Sequence, residues 1–268
     1  MDRYVVIGNP VSHSLSPAIH AHFAAQCGEA MEYATLLVPV DRFEVDVKRF
    51  FDTGGKGANV TLPFKVNAYR WAGMRSDRAR VAEAANFLAM RDGVVEADNT
   101  DGAGLVADLA RNEGIALKAS RVLMLGAGGA ARGVIAPLVA ESPARIVVAN
   151  RTLERARELA SRFDGVEAVA LDAIPAIDFD LVLNATSTST HGEAAPIDDR
   201  VLARAGFAYD MAYGPSAKAF VERARRAGAR ASDGLGMLVE QAAESFFLWR
   251  GKRPSTAAIL AELRARFS

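Results

Sequence analysis

Between positions 122 and 132 the chain reads Val-Leu-Met-Leu-Gly-Ala-Gly-Gly-Ala-Ala-Arg. An apolar run of strand length ends in a glycine-rich turn, and a helical pattern opens directly after it. A strand with no polar alternation is buried on both faces, which calls for a parallel sheet covered by helices. Gly126 allows the tight turn, Gly128 lets the backbone approach a pyrophosphate, and Ala131 lets the helix lie close to the strand. The helix start then offers unpaired N–H groups to an anion. The next strand runs over 146–149 and ends in Asn150-Arg151-Thr152, with Arg155 one turn on. An acid near that point would hold a free ribose 2′-hydroxyl; a guanidinium pairs instead with a 2′-phosphate. The expected cofactor is therefore NADP rather than NAD.

Composition narrows the class further. The chain has 268 residues, 50% hydrophobic and 24% charged, with 32 Lys+Arg against 32 Asp+Glu. The balance gives no support for a nucleic-acid or polyanion partner, and a chain of this length has room for two domains. The single cysteine, Cys27, excludes an intrachain disulfide and fits a reducing compartment. The opening Met-Asp-Arg-Tyr-Val-Val-Ile-Gly lacks a basic region before an apolar stretch, and no apolar run is long enough to span a bilayer. The expectation is a cytoplasmic protein without a signal peptide.

Strand and helix patterns alternate along the whole chain. Strands are expected over 3–8, 33–38 and 58–61, with helices over 16–26, 42–51 and 63–71 and a glycine loop at 54–57. A hairpin across Asp92-Gly93 joins 86–91 to 94–98, and a helix over 102–112 leads to the dinucleotide unit. Beyond it, strands are expected to end near 149, 171, 184, 211 and 230, and long helices over 235–249 and 255–267. The glycine turn lies near mid-chain, so the first hundred residues must do something else. The expected architecture is α/β with two domains. Residues 1–101 form a substrate domain with a mostly parallel sheet, on which helices 235–268 pack back. Residues 102–234 form a Rossmann domain. The active site is expected in the cleft between the two.

Four polar clusters lie outside the cofactor turn. Ser14 and Ser16 stand just before a helix, where donors can converge on an anion; Ser16 could equally be the helix cap. In Asn59-Val-Thr-Leu-Pro-Phe-Lys65, a strand ends at Asn59 and Thr61 and a helix begins near Pro63. Lys65 then falls in the first turn, an unfavourable place for a cation because that end of a helix is positive. In Asp98-Asn-Thr-Asp-Gly102, Thr100 or Asp101 could cap the next helix, or the acids could hold a hydroxylated substrate. Gln241, one turn into the last long helix, could face a cleft or solvent. The four histidines include no helical pair spaced for a metal, and no nucleophile elbow or phosphate-binding Gly-Lys-Ser/Thr motif is present. No metal is expected.

Taken in order, Gly8-Asn-Pro10, Ser12–Pro17, 57–65, Asp98–Gly102, 126–132, 150–152, 184–187, Asp210-Met-Ala-Tyr213 and 233–238 make the chain similar to the shikimate dehydrogenase family. The resemblance implies an N-terminal shikimate-binding domain, a Rossmann NADP domain and the reversible reduction of 3-dehydroshikimate to shikimate, on the way to chorismate and the aromatic amino acids. It also implies roles for individual residues. Ser14 and Ser16 match the hydroxyls that hold the substrate carboxylate, with Tyr213 assisting. Thr61, Asn86 and Gln241 match residues around the ring hydroxyls, and Lys65 and Asp101 match the catalytic pair. Gly126, Ala127, Gly128, Gly129, Ala130, Ala131, Asn150, Arg151, Thr152 and Arg155 match cofactor contacts, and Met211 and Gly234 lie near the nicotinamide. Three residues depart from those common in the family: Glu83 and Ser189 stand where many members have Gly, and Phe87 where many have Thr. The rival readings are a broader quinate/shikimate dehydrogenase and a non-catalytic NADP-responsive binding protein; a monomer and a homodimer are both compatible with the sequence.

Overall fold

The computed structural model describes residues 1–267, with Thr190 described by its backbone alone. The chain divides into two compact units, one of residues 1–104 and 239–262, the other of residues 105–238 and the C-terminal residues from 263. The second unit therefore takes the final turns of the chain, which the sequence reading assigned to the first.

In the first unit the chain passes through β1 (Asp2–Gly8), α1 (Ser16–Cys27), β2 (Met31–Leu37), α2 (Phe43–Asp52), β3 (Gly55–Val60), α3 (Lys65–Trp71), β4 (Met74–Arg75), α4 (Asp77–Ala82), β5 (Phe87–Arg91), β6 (Val94–Asp98) and α5 (Asp101–Ala107). The sheet order is β2-β1-β3-β5-β6-β4. Only β5 runs against the others, since it pairs antiparallel with both β3 and β6 while the remaining pairs are parallel. Helix α2 buries Phe43, Val47 and Phe51, which recur every four residues on one face and meet Val5, Ile7, Ala58 and Val60 of the sheet.

Of the expected glycine loop at 54–57, only Gly54 lies in a turn, and residues 55–57 are instead the start of β3. Gly55 and Gly57 are there for space. A Cβ on Gly55 would run into the Phe50 ring, and one on Gly57 into the Trp249 indole. Trp249 also donates from Nε1 to the Leu88 carbonyl at 3.0 Å. The short β4 and α4 were not foreseen, because two and six residues carry too little periodicity to read.

Those two short elements fix the segment before Asp101. Ser76 caps α4 by accepting the amide of Ala79 at 3.1 Å. Its hydroxyl donates to the Asp98 carboxylate, which is also gripped on both oxygens by the Arg78 guanidinium. Asp98 accepts its neighbour's amide, from Asn99, at 2.6 Å, and Arg78 reaches on to Glu244 at 3.0 Å. Burial works to raise the Asp98 carboxyl, but Arg78 and Ser76 outweigh it and hold the group below its ordinary value.

The second unit contains β7 (Arg121–Leu125), α6 (Gly129–Ala140), β8 (Arg145–Asn150), α7 (Leu153–Ala160), β9 (Val166–Ala170), β10 (Phe179–Asn184), α8 (Asp199–Leu202), β11 (Ala205–Asp210), α9 (Lys218–Arg226) and β12 (Arg230–Asp233). The strand order is β12-β11-β10-β7-β8-β9, all parallel. Counted from β7, that is the doubly wound order of a Rossmann fold. Alternate residues of β7 feed opposite cores: Val122 and Met124 join Val134, Leu138 and Tyr209 on one face, Leu123 and Leu125 join Phe179, Ala208 and Phe220 on the other. Two more helices complete the chain, α10 (Leu235–Arg250) and α11 (Ala257–Phe267).

A buried carboxylate lies under the start of α10. Helix α5 continues as a π turn over Asp108–Asn112. Asp108 accepts from the Tyr209 hydroxyl at 2.6 Å and from Asn112 Nδ2 at 2.8 Å, and burial raises its carboxyl above the ordinary value. A Cβ on Gly236 would overlap the Asp108 carboxylate.

Two stability predictions follow from these contacts. Gly236→Ala must displace a carboxylate held by two donors, at a cost of about 2–3 kcal/mol. A thermal melt should show a midpoint lower by about 5–10 °C. Arg78→Met leaves Asp98 buried without its partner. A carboxyl held below its unfolded value stabilises the fold above that value and loses the contribution as pH falls through the folded one. With Arg78 one-third exposed, the loss should be about 2–3 kcal/mol in urea unfolding near neutrality. The gap between variant and parent should begin to narrow as the pH falls below about 4, the ordinary carboxylate value, and should close only at the lower pH where Asp98 of the parent is itself protonated.

Candidate active site

The paired groups expected from the sequence come together in the first unit. Lys65 is the first residue of α3 and Asp101 the first of α5, and Lys65 Nζ donates to Asp101 Oδ2 at 2.6 Å. The lysine side chain is 28% exposed and that of the aspartate 11%. The pair is thus sheltered but open on the lysine side. Asp101 does not cap α5. It is the first helical residue, and its amide is taken by Asn99, whose Oδ1 accepts it at 3.1 Å while Asn99 Nδ2 donates to the Ala84 carbonyl at 3.0 Å. This leaves the Asp101 carboxylate and the Thr100 hydroxyl for side-chain chemistry.

Asn86, just before β5, gathers the next layer. Its Nδ2 lies 2.8 Å from Asp101 Oδ1, 2.9 Å from Thr100 Oγ1 and 3.1 Å from Gln241 Oε1, and its Oδ1 accepts the Thr100 amide at 2.7 Å. Gln241 therefore faces inward, and it is only 7% exposed. The flanking departures have physical roles. Glu83 ends α4 with φ 52°, a left-handed turn of the kind that favours glycine. Phe87 is buried and stacks on Trp249 with ring centres 5.1 Å apart.

The polar strip continues through residues to which the sequence reading gave no role. Ser245 Oγ lies 3.2 Å from Thr100 Oγ1 and accepts from Asn59 Nδ2 at 2.9 Å. The same amide nitrogen donates to the Asn86 carbonyl at 3.3 Å. Asn59 Oδ1 is thereby turned toward the Tyr33 hydroxyl, 2.7 Å away, and toward His20 Nε2, 3.1 Å away. His20 must carry its proton on Nε2 to donate there. Full burial pushes its pKa down to about 3, so the ring stays neutral, and it stacks on Tyr33 at 4.2 Å. Local sequence carried no signal for this strip, because its members lie on α1, β2, β3 and α10.

Ser16 opens α1, whose cap position is Leu15, so it does not act as the cap. Ser14 Oγ accepts the Ser16 amide at 3.3 Å and keeps its proton to donate. Thr61 follows β3 in a turn, with its amide on the Ile7 carbonyl at 2.9 Å and its carbonyl accepting from Phe64 at 3.0 Å.

The remaining expected residues lie in the second unit. Gly126 has φ +101°, and a Cβ there would sit 3.0 Å from the Ala185 carbonyl oxygen. Only glycine fits a turn that is both left-handed and this close to a neighbouring strand end. Ala127 is buried, whereas Gly128, Gly129 and Ala130 are exposed at the start of α6, and a Cβ on either glycine would meet nothing within 4 Å. Ala131 is fully buried beneath the helix. The open cradle of amides at a twelve-residue helix suits a pyrophosphate. Asn150 closes β8 and donates to the Thr152 carbonyl at 2.7 Å. Thr152 is the N-cap of α7 without a side-chain bond, and Arg151 and Arg155 are exposed beside it, without an ion pair among the described residues. The residues present therefore fit a 2′-phosphate. Gly234 donates to the Ala212 carbonyl at 2.8 Å, and a Cβ on it would overlap the Met211 carbonyl. Tyr213, half-buried, stands next to Phe267 at 6.4 Å between ring centres. Among the described residues no group of His, Cys, Asp and Glu is placed to hold a metal ion, and no helix is long and apolar enough to cross a membrane.

Comparison with known proteins shows the family. Three family profiles match in order: the shikimate dehydrogenase substrate-binding domain over residues 6–88, shikimate/quinate 5-dehydrogenase over 108–194, and the shikimate 5′-dehydrogenase C-terminal domain over 234–264. A shikimate dehydrogenase (NADP(+)) of Janthinobacterium sp. (strain Marseille) is 52% identical over 265 residues, covering 98% of this chain and 97% of its own. A crystal structure of an enzyme from Pseudomonas putida superposes with a TM-score of 0.94 at 43% identity, covering 98% of each chain. The shikimate 5-dehydrogenase of Thermus thermophilus, crystallised with NADP(H) and shikimate, gives 0.88 at 33% identity over 99% of both. The chain belongs to the shikimate dehydrogenase family.

Proposed function

We propose that the chain is an NADP-dependent shikimate dehydrogenase that interconverts shikimate and 3-dehydroshikimate, a step of chorismate and aromatic amino-acid biosynthesis. The observation that carries this reading is the Lys65–Asp101 pair at 2.6 Å, joined through Asn86 to a cluster of amides and hydroxyls. In the first unit, Ser14 and Ser16 hold the substrate carboxylate and Thr61, Asn86 and Gln241 hold its ring hydroxyls. Asn86 Nδ2 faces Asp101, Thr100 and Gln241, a set of amide, hydroxyl and carboxylate groups of the kind that meets the hydroxyls of a polyhydroxylated ring. In the second unit, the glycine turn holds the pyrophosphate, and Arg151 and Arg155 hold the 2′-phosphate of NADP. Tyr213 assists at the carboxylate, and Met211 and Gly234 line the nicotinamide end.

When bound, NADP supplies the hydride exchange. The protein's own part is proton transfer at the oxygen of the reacting carbon. In the direction of oxidation, Lys65 takes the hydroxyl proton; in reduction, the Lys65 ammonium returns it to the carbonyl oxygen. Asp101 accepts from Nζ and so aims the lysine. The low exposure of Asp101 keeps this exchange away from bulk water. The single cysteine suits a reducing, cytoplasmic site of action.

The deciding experiment is a spectrophotometric assay of NADP reduction with shikimate, run beside quinate and NAD. Turnover with shikimate and NADP is expected to be the most efficient of the four combinations; a chain that binds both compounds without turnover is not an enzyme of this kind. Lys65→Ala should lower kcat by at least about a hundredfold, the usual scale for a general acid–base group. KM for shikimate should change far less, because the loss falls on the transition state. Arg151→Ala should reduce the preference for NADP over NAD by about ten- to a hundredfold in kcat/KM, as for loss of one charge-assisted phosphate contact. An unchanged ratio would remove Arg151 from the phosphate site.

A further inference from the structure

Ser189, one of the departures from the family pattern, occupies a built position at the rim of the second sheet. Strands β10 and β11 end side by side at the paired residues Asn184 and Asp210, both fully buried. Asp210 Oδ2 accepts from Ser189 Oγ at 2.5 Å and from Asn184 Nδ2 at 3.0 Å, and its Oδ1 accepts the Ala212 amide at 2.9 Å. Asn184 Nδ2 also reaches Ser189 Oγ at 3.2 Å. At its other end Asn184 Oδ1 accepts from the Thr186 amide at 3.2 Å and the Thr186 hydroxyl at 2.6 Å. Residues 184–189 are thus folded back and tied at both ends to buried groups.

The tied segment abuts the cofactor turn. A Cβ on Gly126 would lie 3.0 Å from the Ala185 carbonyl oxygen and 3.2 Å from Thr186 Cγ2. The Ala185 amide bonds the Leu125 carbonyl at 2.9 Å, and the Met211 amide bonds the Asn184 carbonyl at 3.0 Å. Any slackening of the segment is therefore passed to backbone on both sides of the rim. A glycine at position 189 would supply no hydroxyl, and the buried Asp210 carboxylate would lose one of its three donors.

We propose that Ser189 is a positioning residue for the dinucleotide: its hydroxyl latches the segment after β10 onto Asp210 and so holds Ala185 and Thr186 against the Gly126 turn. The proposal rests on the NADP reading above. It deepens that reading by naming a residue that shapes the cofactor site without belonging to the glycine turn or the arginine pair.

The test is NADP affinity of the full chain, measured by calorimetric titration, with KM for shikimate and the melting temperature followed in parallel. Ser189→Ala should weaken NADP binding about tenfold, the scale of one buried hydrogen bond to a charged group. KM for shikimate should stay within about twofold, since the first unit is untouched. Ser189→Thr, which keeps the hydroxyl, should recover most of the affinity. In an Asp210→Asn background, Ser189→Ala should have little further effect, because the two act as one unit. Unchanged NADP affinity in Ser189→Ala overturns the proposal. So does a loss that falls equally on shikimate, or full additivity with Asp210→Asn. Failure of the unmodified chain to bind NADP overturns the cofactor reading itself, and the proposal with it.

Discussion

Asn86 is 2% exposed, so its amide must find partners inside the protein, and that requirement organises the polar interior of the first unit. Its carbonyl oxygen fixes the Thr100 amide; its nitrogen faces Asp101, Thr100 and Gln241. Rotating the side chain would cost several bonds in a place water does not reach. The lysine–aspartate pair is therefore aimed by groups that cannot relax independently. The preorganisation is electrostatic as well as geometric, because the dipoles are set before any substrate arrives. Behind Asn86, the strip through Ser245, Asn59 and neutral His20 extends the same logic. The His20 imidazole, held uncharged by burial, keeps its proton on the nitrogen that Asn59 needs.

The two candidate sites are built by different means. In the second unit the candidate site is mostly backbone: a glycine turn, exposed amides at the start of α6 and strand ends at the sheet rim. In the first it is mostly side chains. A pyrophosphate presents many equivalent oxygens that amides can meet without discrimination, whereas a ring with a carboxylate and several hydroxyls must be told apart by donors and acceptors placed one at a time. The buried charges follow a similar division. Asp98 is paired with Arg78 and held ionised, while Asp108 and Asp210 sit among neutral donors and are raised by burial.

How much was legible depended on whether a function is local in sequence. The glycine turn could be read because turn, strand and helix are contiguous and each glycine meets a requirement of its own neighbourhood. Lys65 and Asp101 could be singled out because each opens a helix, though nothing in either segment showed that they would meet across 36 residues. The hairpin of β5 and β6 was readable from Asp92-Gly93. By contrast, Gly55 and Gly57 looked like a loop and are strand; the reason is two aromatic rings, one of them about two hundred positions away.

The amino-acid sequence by itself determined the alternation of elements, the parallel doubly wound sheet, the dinucleotide turn with its basic companion strand and the inventory of acid–base and hydroxyl groups. These follow from periodicity, turn chemistry and spacing, which act over a few residues. Only the tertiary structure decided that Gln241 faces inward, that Asn99 Oδ1 takes the Asp101 amide, that Ser16 is not a cap, and that His20, Tyr33, Asn59 and Ser245 belong to one strip. Those outcomes depend on which polar groups are left without water once the chain has closed over them. No segment carries that information alone, because burial is a property of the whole packed unit.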